Sequence, residues 1–195
     1  GEASCDGCPV GGAAVAEQVG AILGKDVEAE CKKVARVMCI GTNEKARKKY
    51  DYLGIKDCAS ASHLHGSERS CNYGCVGYGN CVKACPFDAI ILKDGIAEIV
   101  EEKCTGCEMC VDACPKSIIK MVSETSRVTV FCSSFDNAKT TKRNCDVGCI
   151  KCKRCGKVCP VDAIYYEDGL SRIDPDKCIN CGECIKVCPT NVILE

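Results

Sequence analysis

Residues 178–189 read CINCGECIKVCP: three cysteines stand at every third position, a fourth follows four residues later, and a proline comes directly after it. The same spacing, again ending in proline, occurs in residues 104–115 and 149–160. Three cysteines at every third position wrap a loop around one face of an iron–sulfur cube, while the fourth is carried toward a neighbouring cube. Three such runs in one chain therefore predict [4Fe–4S] clusters, whereas a single run would also fit a zinc knuckle.

The composition is that of a fold cross-linked by inorganic clusters. The chain has 23 cysteines among 195 residues, three phenylalanines and no tryptophan, so a large apolar core is not expected. Cysteine-dense chains are often secreted disulfide frameworks, but the ligand spacing here requires free thiolates and hence a reducing, cytoplasmic compartment. The sequence shows neither a signal peptide nor an apolar run long enough to span a membrane. A net charge of −1 argues against nucleic acid as a partner.

An internal repeat begins at Cys75 and organises the rest of the chain. A shift of 74 residues places seven cysteines on seven others: Cys75, Cys81, Cys85, Cys104, Cys107, Cys110 and Cys114 fall on Cys149, Cys155, Cys159, Cys178, Cys181, Cys184 and Cys188. The Asp94-Gly95 pair likewise falls on Asp168-Gly169. The chain therefore contains two copies of one domain. Each copy is predicted to run through a cysteine loop, Cys-Pro, a short helix, a hairpin turning at Asp-Gly, and a second cysteine loop.

The ligand sets follow from the repeat. In a two-cluster ferredoxin domain, the fourth cysteine of each loop ligates the cluster that the other loop holds. This rule predicts three complete sets: Cys104, Cys107, Cys110 with Cys85; Cys178, Cys181, Cys184 with Cys159; and Cys149, Cys152, Cys155 with Cys188.

The first loop of the first copy departs from this pattern. Tyr78 stands where the second copy has Cys152, and tyrosine is not an expected ligand. Cys71 can supply the missing thiolate, which predicts a fourth set of Cys71, Cys75, Cys81 and Cys114; the alternative is a three-cysteine site holding a [3Fe–4S] cluster. The remaining cysteines Cys39, Cys58, Cys132 and Cys145 are spread over two modules, so we expect buried or hydrogen-bonding thiols there rather than a fifth cube.

The predicted fold class is α+β, with two tandem bacterial-type dicluster ferredoxin domains that each follow a small strand-helix segment. The predicted segments are the end of an N-terminal cluster region (1–33), a strand-helix segment (34–70), the first dicluster domain (71–122), a second strand-helix segment (123–144) and the second dicluster domain (145–195). Helical spacing of apolar residues predicts a helix from Ala13 to Leu23, with Gly24 near its end. Val34 to Ile40 is β-branched and apolar, and Asn43 is predicted to cap a basic helix after it.

A basic segment lies beside the predicted clusters of the second copy. Between Asp136 and Lys157, two acidic residues accompany seven basic ones: Lys139, Lys142, Arg143, Lys151, Lys153, Arg154 and Lys157. An oxidised four-thiolate cube is negatively charged, so part of this excess offsets the cluster. The rest would steer an acidic redox partner with strong salt sensitivity; the alternative is a merely solvated face.

Together these motifs resemble the B subunit of the Rnf complex, a membrane-bound ferredoxin:NAD oxidoreductase that couples electron flow to sodium or proton transport. The resemblance rests on CPVGG at residues 8–12, CNYGC at 71–75 and CDVGC at 145–149, and it spans essentially the whole chain. It implies four [4Fe–4S] clusters that relay electrons from reduced ferredoxin to the other subunits of the complex. No catalytic residue is expected in this chain itself.

The resemblance also implies an N-terminal membrane helix and a further four-cysteine motif. Cys8 matches the last cysteine of that motif, so it would complete an additional cluster with residues upstream of Gly1. The expected location is the cytoplasmic side of the cell membrane, with membrane contact only through that upstream segment or through partner subunits. Two other interpretations remain. The first is an iron–sulfur subunit of another redox complex, of the hydrogenase or formate dehydrogenase type, or a soluble polyferredoxin. The second, from a different class, is a zinc-binding structural module.

Overall fold

A computed structural model of the protein describes residues 4–5, 7–27 and 31–195. Its α-helices are α1 (Gly12–Leu23), α2 (Cys58–His63), α3 (Asn80–Ala84), α4 (Met109–Asp112), α5 (Ala138–Asn144), α6 (Arg154–Lys157) and α7 (Glu183–Lys186). Its strands are β1 (Lys33–Val37), β2 (Ile90–Lys93), β3 (Ile96–Ile99), β4 (Ile119–Ser123), β5 (Thr129–Val130), β6 (Ile164–Glu167), β7 (Leu170–Ile173) and β8 (Ile193–Leu194). These elements form an α+β fold of small two-stranded sheets and short helices. In the part of the chain that is described, no helix is both long and apolar enough to cross a membrane.

The helix predicted near the start of the chain is confirmed as α1. It ends at Gly24, whose φ of 63° lies in the left-handed region and whose N–H donates to the carbonyl of Gly20. A left-handed residue after the last turn satisfies a carbonyl that would otherwise lack a partner, and glycine adopts this conformation without steric cost.

Both predicted hairpins are confirmed. β2 pairs antiparallel with β3, and β6 pairs antiparallel with β7. The Asp94-Gly95 turn has φ values of 49° and 78°, and Asp168-Gly169 has 47° and 81°. Positive φ at both central residues matches the right-handed twist of the strands, which is why Asp-Gly is favoured here.

The prediction that a short helix follows each Cys-Pro is wrong, because the short helices precede it. α3, α4, α6 and α7 each carry the third cysteine of a loop and end before the Cys-Pro step. The second residue after each proline has a left-handed backbone, with φ between 48° and 50° at Asp88, Ser117, Asp162 and Asn191. Asp, Ser and Asn tolerate this conformation better than most residues, and it stops a helix from forming there.

The strand that precedes each repeat pairs with the last strand of that repeat. β1 pairs antiparallel with β4, the last strand of the first copy, and β5 pairs antiparallel with β8, the last strand of the second. Val34 and Ile119 are fully buried at the first pairing, as Ile193 is at the second. The flanking strands therefore belong to the cores of the two units, and the residues that follow them lie against the cysteine loops.

The basic helix predicted after Asn43 is wrong. Residues 43–45 form a turn, and isolated bridges join Ala46 to Cys145 and Lys48 to Arg69. Asn43 makes long-range hydrogen bonds: its N–H donates to the carbonyl of Asp94, and its side-chain oxygen accepts from Arg69. Tertiary pairing outweighs the helical preference of this segment, and the helix of the segment is α2, capped by Asp57.

Buried polar contacts join the two repeats. The side chain of Arg36 in β1 lies 2.6 Å from Glu101 Oε1 and donates to Thr129 Oγ1 at 3.0 Å and to the carbonyl of Ser126. The hydroxyl of Ser133 donates to the carbonyl of Met38. These contacts connect the strand of the first unit with the strand of the second.

Candidate iron–sulfur centres

The second loop of the first copy brings its three cysteines together with the fourth cysteine of the neighbouring loop. Cys104, Cys107 and Cys110 line one pocket with Cys85, which is the set predicted from the repeat. Burial and the nearby thiolates of Cys104, Cys107 and Cys85 raise the pKa of Cys110 to about 11. The backbone N–H of Ala35 in β1 donates to Cys104 Sγ at 3.4 Å, so the flanking strand contributes to the site.

The first loop of the second copy forms an equivalent pocket. Cys149, Cys152 and Cys155 line it with Cys188, again the predicted set. Cys155 Sγ lies 3.4 Å from the hydroxyl oxygen of Ser171, a residue that is 2% exposed. Cys152 is exposed, so this pocket reaches the protein surface.

The second loop of the second copy brings Cys178 and Cys181 close to Cys184. Burial and nearby thiolates, first Cys155 and then Cys178 and Cys181, raise the pKa of Cys184 to about 11. Cys159 lies two residues after the end of α6, and its sulfur accepts from the N–H of Ala163 at 3.3 Å. The 74-residue shift places Cys159 in the role of Cys85 at this site.

The first loop of the first copy differs from the grouping expected from the sequence. Cys75, Cys81 and Cys114 line a pocket whose fourth cysteine is Cys58, not Cys71. Burial and the nearby thiolates of Cys75, Cys114 and Cys58 raise the pKa of Cys81 to about 12. Cys58 is the first residue of α2, where its N–H donates to Asn80 Oδ1 at 2.9 Å. This bond holds α2 against the start of α3, and the thiol of Cys58 enters the pocket.

Tyr78 occupies the place of the missing loop cysteine as a packing residue. Its ring centroid lies 5.9 Å from that of Tyr52, and the ammonium group of Lys56 lies 4.9 Å from its centroid. Burial, followed by the nearby Glu68 carboxylate, raises the pKa of Tyr78 to about 12. The phenol therefore stays protonated and belongs to the small core around α2.

Cys71 lies in a different pocket, together with three of the cysteines that the sequence left unassigned. Cys39, Cys71, Cys132 and Cys145 all line this pocket, between the loop after β1 and the start of the second copy. The remaining predicted ligand, Cys8, lies at an exposed turn before α1, where the N–H of Gly11 donates to its sulfur at 3.4 Å. Its place in an N-terminal cluster stays a prediction.

The chemistry of these pockets fits cubes of iron and sulfide. Their walls combine thiols with buried aliphatic side chains, and backbone N–H groups donate to several of the sulfurs. Hydrogen bonds to sulfur and an apolar surrounding are the means by which proteins set cluster potentials. Within the described ranges, no three Cys, His, Asp or Glu side chains converge closely enough to hold a single metal ion. A cube spreads its four ligands farther apart than one ion does.

Comparison with family models identifies the class. Models described as "4Fe-4S dicluster domain" match residues 71–121, 103–163 and 148–192. The protein is therefore an iron–sulfur protein with two dicluster ferredoxin domains, and these domains imply [4Fe–4S] clusters, as the sequence predicted.

Similar proteins identify the family. The chain is 46% identical over 178 residues to the B subunit of a Na(+)-translocating ferredoxin:NAD(+) oxidoreductase complex of Acetobacterium woodii, covering 91% of this chain and 54% of that protein. It is 41% identical to the B subunit of an ion-translocating oxidoreductase complex of Methanosarcina acetivorans, covering 90% of this chain and 67% of that protein. It is 42% identical to the B subunit of a proton-translocating ferredoxin:NAD(+) oxidoreductase complex of Clostridium ljungdahlii, covering 86% of this chain and 59% of that protein.

The chain belongs to this family of Rnf B subunits, as the motifs at residues 8–12, 71–75 and 145–149 predicted. It spans between about half and two thirds of the length of these relatives.

Proposed function

We propose that this chain is an electron-relay subunit of a membrane-bound ferredoxin:NAD oxidoreductase that couples electron flow to sodium or proton transport. It takes single electrons from reduced ferredoxin and passes them to the other subunits of the complex on the cytoplasmic side of the membrane. The observation that carries the proposal is the grouping of ferredoxin-type cysteines into separate four-thiol sites in a chain of this family.

Four [4Fe–4S] clusters are assigned to the two dicluster domains, where they would supply the one-electron chemistry. Their ligand sets are Cys85, Cys104, Cys107, Cys110; Cys58, Cys75, Cys81, Cys114; Cys149, Cys152, Cys155, Cys188; and Cys159, Cys178, Cys181, Cys184. Cys58 replaces Cys71 in the set expected from the sequence.

The residues of this chain hold the clusters and set their potentials. Each domain exchanges the fourth cysteine between its two loops, which brings the paired sites close enough for electron tunnelling. Buried hydrogen-bond donors, such as Ser171 beside Cys155, stabilise negative charge on the ligand sulfurs. No side chain acts as an acid, base or nucleophile.

The basic segment of the second copy is proposed as the docking site for reduced ferredoxin. Six of its seven cations are exposed: Lys139, Lys142, Arg143, Lys153, Arg154 and Lys157. Among the described residues, no carboxylate forms an ion pair with any of these six. Three of them lie on α5, and Lys153, Arg154 and Lys157 follow the exposed ligand Cys152 closely in the chain. An exposed cluster edge within a positive surface is where an acidic carrier would deliver an electron.

The test is electron uptake from reduced ferredoxin by the anaerobically purified chain, followed in a stopped-flow spectrometer. We expect a brown protein whose visible absorption bleaches on mixing, at a rate that falls as salt is added. Lys157→Glu should slow the reaction severalfold. Lys83→Glu is the matched control, because Lys83 occupies the equivalent position in the first copy and is also exposed.

Two results would contradict the proposal. A colourless protein that contains zinc would remove the electron-transfer function altogether. A brown protein that reduced ferredoxin fails to bleach would point to a different electron donor, as in the iron–sulfur subunits of other redox complexes.

A further inference from the structure

We propose that Cys39, Cys71, Cys132 and Cys145 bind an additional [4Fe–4S] cluster that connects the two dicluster domains. These four cysteines lie outside the four ferredoxin-type ligand sets, yet they line a common pocket. The inference goes beyond the proposed function, which needs only the sites inside the two domains. It departs from the expectation from the sequence that Cys39, Cys132 and Cys145 are buried or hydrogen-bonding thiols rather than ligands of a fifth cube.

Two glycines show how closely the sulfurs approach one another. A Cβ atom added to Gly41 would lie 3.3 Å from Cys145 Sγ and 3.7 Å from Cys39 Sγ. A Cβ atom added to Gly74 would lie 3.5 Å from Cys39 Sγ and 3.6 Å from Cys71 Sγ. Cys39 Sγ therefore lies close to both Cys145 Sγ and Cys71 Sγ. Because glycine adds no side chain, the backbone at both places leaves the space beside the sulfurs open.

The four cysteines form two equivalent pairs, one from each repeat. Cys71 and Cys145 open their copies at the same position, since a shift of 74 residues superposes them. Cys39 and Cys132 each follow the flanking strand of their unit by two residues. Each donates its N–H to the last residue of that strand, Cys39 to Val37 at 2.7 Å and Cys132 to Val130 at 3.0 Å. Four thiols scattered at random would not show this pairing, whereas a site shared by two related units would.

The backbone holds the two pairs against each other. An antiparallel bridge joins Ala46 to Cys145, and the N–H of Asp146 donates to the carbonyl of Lys45 at 2.9 Å. The N–H of Arg47 donates to the carbonyl of Asn144 at 2.9 Å. The turn that replaces the predicted helix after Asn43 thus fixes the loop of Cys39 against the start of the second copy.

A buried cation indicates that the pocket takes an anionic group. Arg69 lines the pocket and is 4% exposed. Its guanidinium donates to neutral oxygens, namely the carbonyls of Gly41 and Gly95 and the side-chain oxygen of Asn43. In the ranges 4–5, 7–27 and 31–195, no carboxylate pairs with it. Buried charges in proteins are normally compensated, and a four-thiolate cluster would provide the opposite charge.

The site lies between the clusters of the two domains. On one side, the N–H of Cys149, a ligand of the second domain, donates to Cys132 Sγ at 3.3 Å. On the other side, Gly74 separates Cys75, a ligand of the first domain, from the sulfurs of Cys39 and Cys71. A cluster here would gain one electron as its neighbour in one domain loses it, and would pass that electron to the other domain. The five sites then form one continuous path.

The test compares metal contents of the anaerobically purified full chain and of Cys132→Ala/Cys145→Ala. We expect about 20 iron and 20 sulfide per wild-type chain and about four fewer of each in the double variant. The matched control is Cys31→Ala, which removes an exposed thiol outside the cysteine pockets and should leave the content unchanged. Native mass spectrometry of the wild type counts clusters without relying on a variant, and Cys39→Ala provides a second variant if the double one fails to fold.

Each possible metal content either supports the additional cluster or overturns it. A wild-type chain with about 16 iron and 16 sulfide would overturn it while leaving the four clusters of the proposed function in place. One zinc per chain that disappears in the double variant would also overturn it, because the pocket would then be a structural ion site. A chain almost free of iron would contradict the proposed function itself.

Discussion

Replacing the serine beside one cluster should shift that cluster's potential in a predictable direction. Ser171 lies in β7 with its hydroxyl oxygen 3.4 Å from Cys155 Sγ. When Cys155 is a thiolate on iron, only the hydroxyl can donate this hydrogen bond. Reduction adds negative charge to the cluster, so the bond stabilises the reduced state more than the oxidised one. Ser171→Ala should therefore lower the reduction potential of the cluster held by the Cys149 set.

The size of the shift in reduction potential follows from the free energy that one hydrogen bond contributes. Ser171 is 2% exposed, so water cannot replace the lost donor. A net hydrogen bond contributes about 1 kcal/mol, which corresponds to roughly 40 mV for a one-electron couple. Because both oxidation states accept the bond, roughly 40 mV is an upper value, and a lowering of about 20–40 mV is expected.

The first copy offers a matched control variant for which the opposite shift in potential is expected. Ala97 is the equivalent of Ser171 in the first copy: it pairs with Leu92 in the first hairpin as Ser171 pairs with Tyr166 in the second. It also lines the pocket of Cys75 and Cys81. Ala97→Ser should therefore raise the potential of that cluster.

Potentiometric titration followed by electron paramagnetic resonance measures both shifts. An unchanged potential in Ser171→Ala, or a rise, would refute the reasoning about this hydrogen bond. A lower potential of the Cys75 cluster in Ala97→Ser would also show that this hydroxyl does not stabilise the reduced cluster.

Three further predictions concern ligands, stability and docking. Tyr78→Cys should restore the iron lost in Cys58→Ala, because it recreates the loop ligand of the second copy, but it should not restore iron in Cys71→Ala; equal rescue would mean that the assignment of Cys58 is mistaken. Glu101→Gln should lower the free energy of unfolding by about 2 kcal/mol, because it leaves Arg36 buried without its carboxylate partner. The control Glu98→Gln, which breaks an exposed pair with Lys93, should lower it by less than about 0.5 kcal/mol. Anaerobic denaturation measures both changes. The rate of reduction by ferredoxin should fall steeply with ionic strength, and a salt-independent rate would exclude the basic segment as the docking site.

The repeated parts of the site were predictable from the sequence. The cysteine runs fix the loops by their spacing, and the Asp-Gly pairs fix the hairpins because few other residues adopt positive φ at both turn positions. The exchange of Cys85 and Cys114 between loops follows from the same rule. These features depend on local chain geometry, which a single sequence contains.

The proposed ligand Cys58 could not be predicted in this way. It enters its pocket from α2, outside the ferredoxin repeat, and its position depends on the packing of α2 against α3 through Asn80. Cys71 was nearer in sequence and had the better spacing. The only signal available was Tyr78, which showed that a ligand had to come from elsewhere but not from where.

The turn after Asn43 was mispredicted for a related reason. Its residues favour a helix locally, but the bridge between Ala46 and Cys145 and the hydrogen bonds of Arg69 stabilise another conformation. Those partners lie far away in the chain. The same long-range contacts bring the loop of Cys39 to Cys145, and a single sequence does not show them either.

The central claim is that ferredoxin-type cysteines are divided among iron–sulfur cubes, with paired loops exchanging their last ligand. An anomalous difference map at the iron edge, from crystals of the anaerobically purified protein, tests it most directly. Iron density is expected within each four-cysteine site, with Cys58 and Cys114 bound to the same cluster as Cys75 and Cys81. Sulfurs paired as disulfides, single zinc ions in the pockets, or Cys71 bound in place of Cys58 would contradict it.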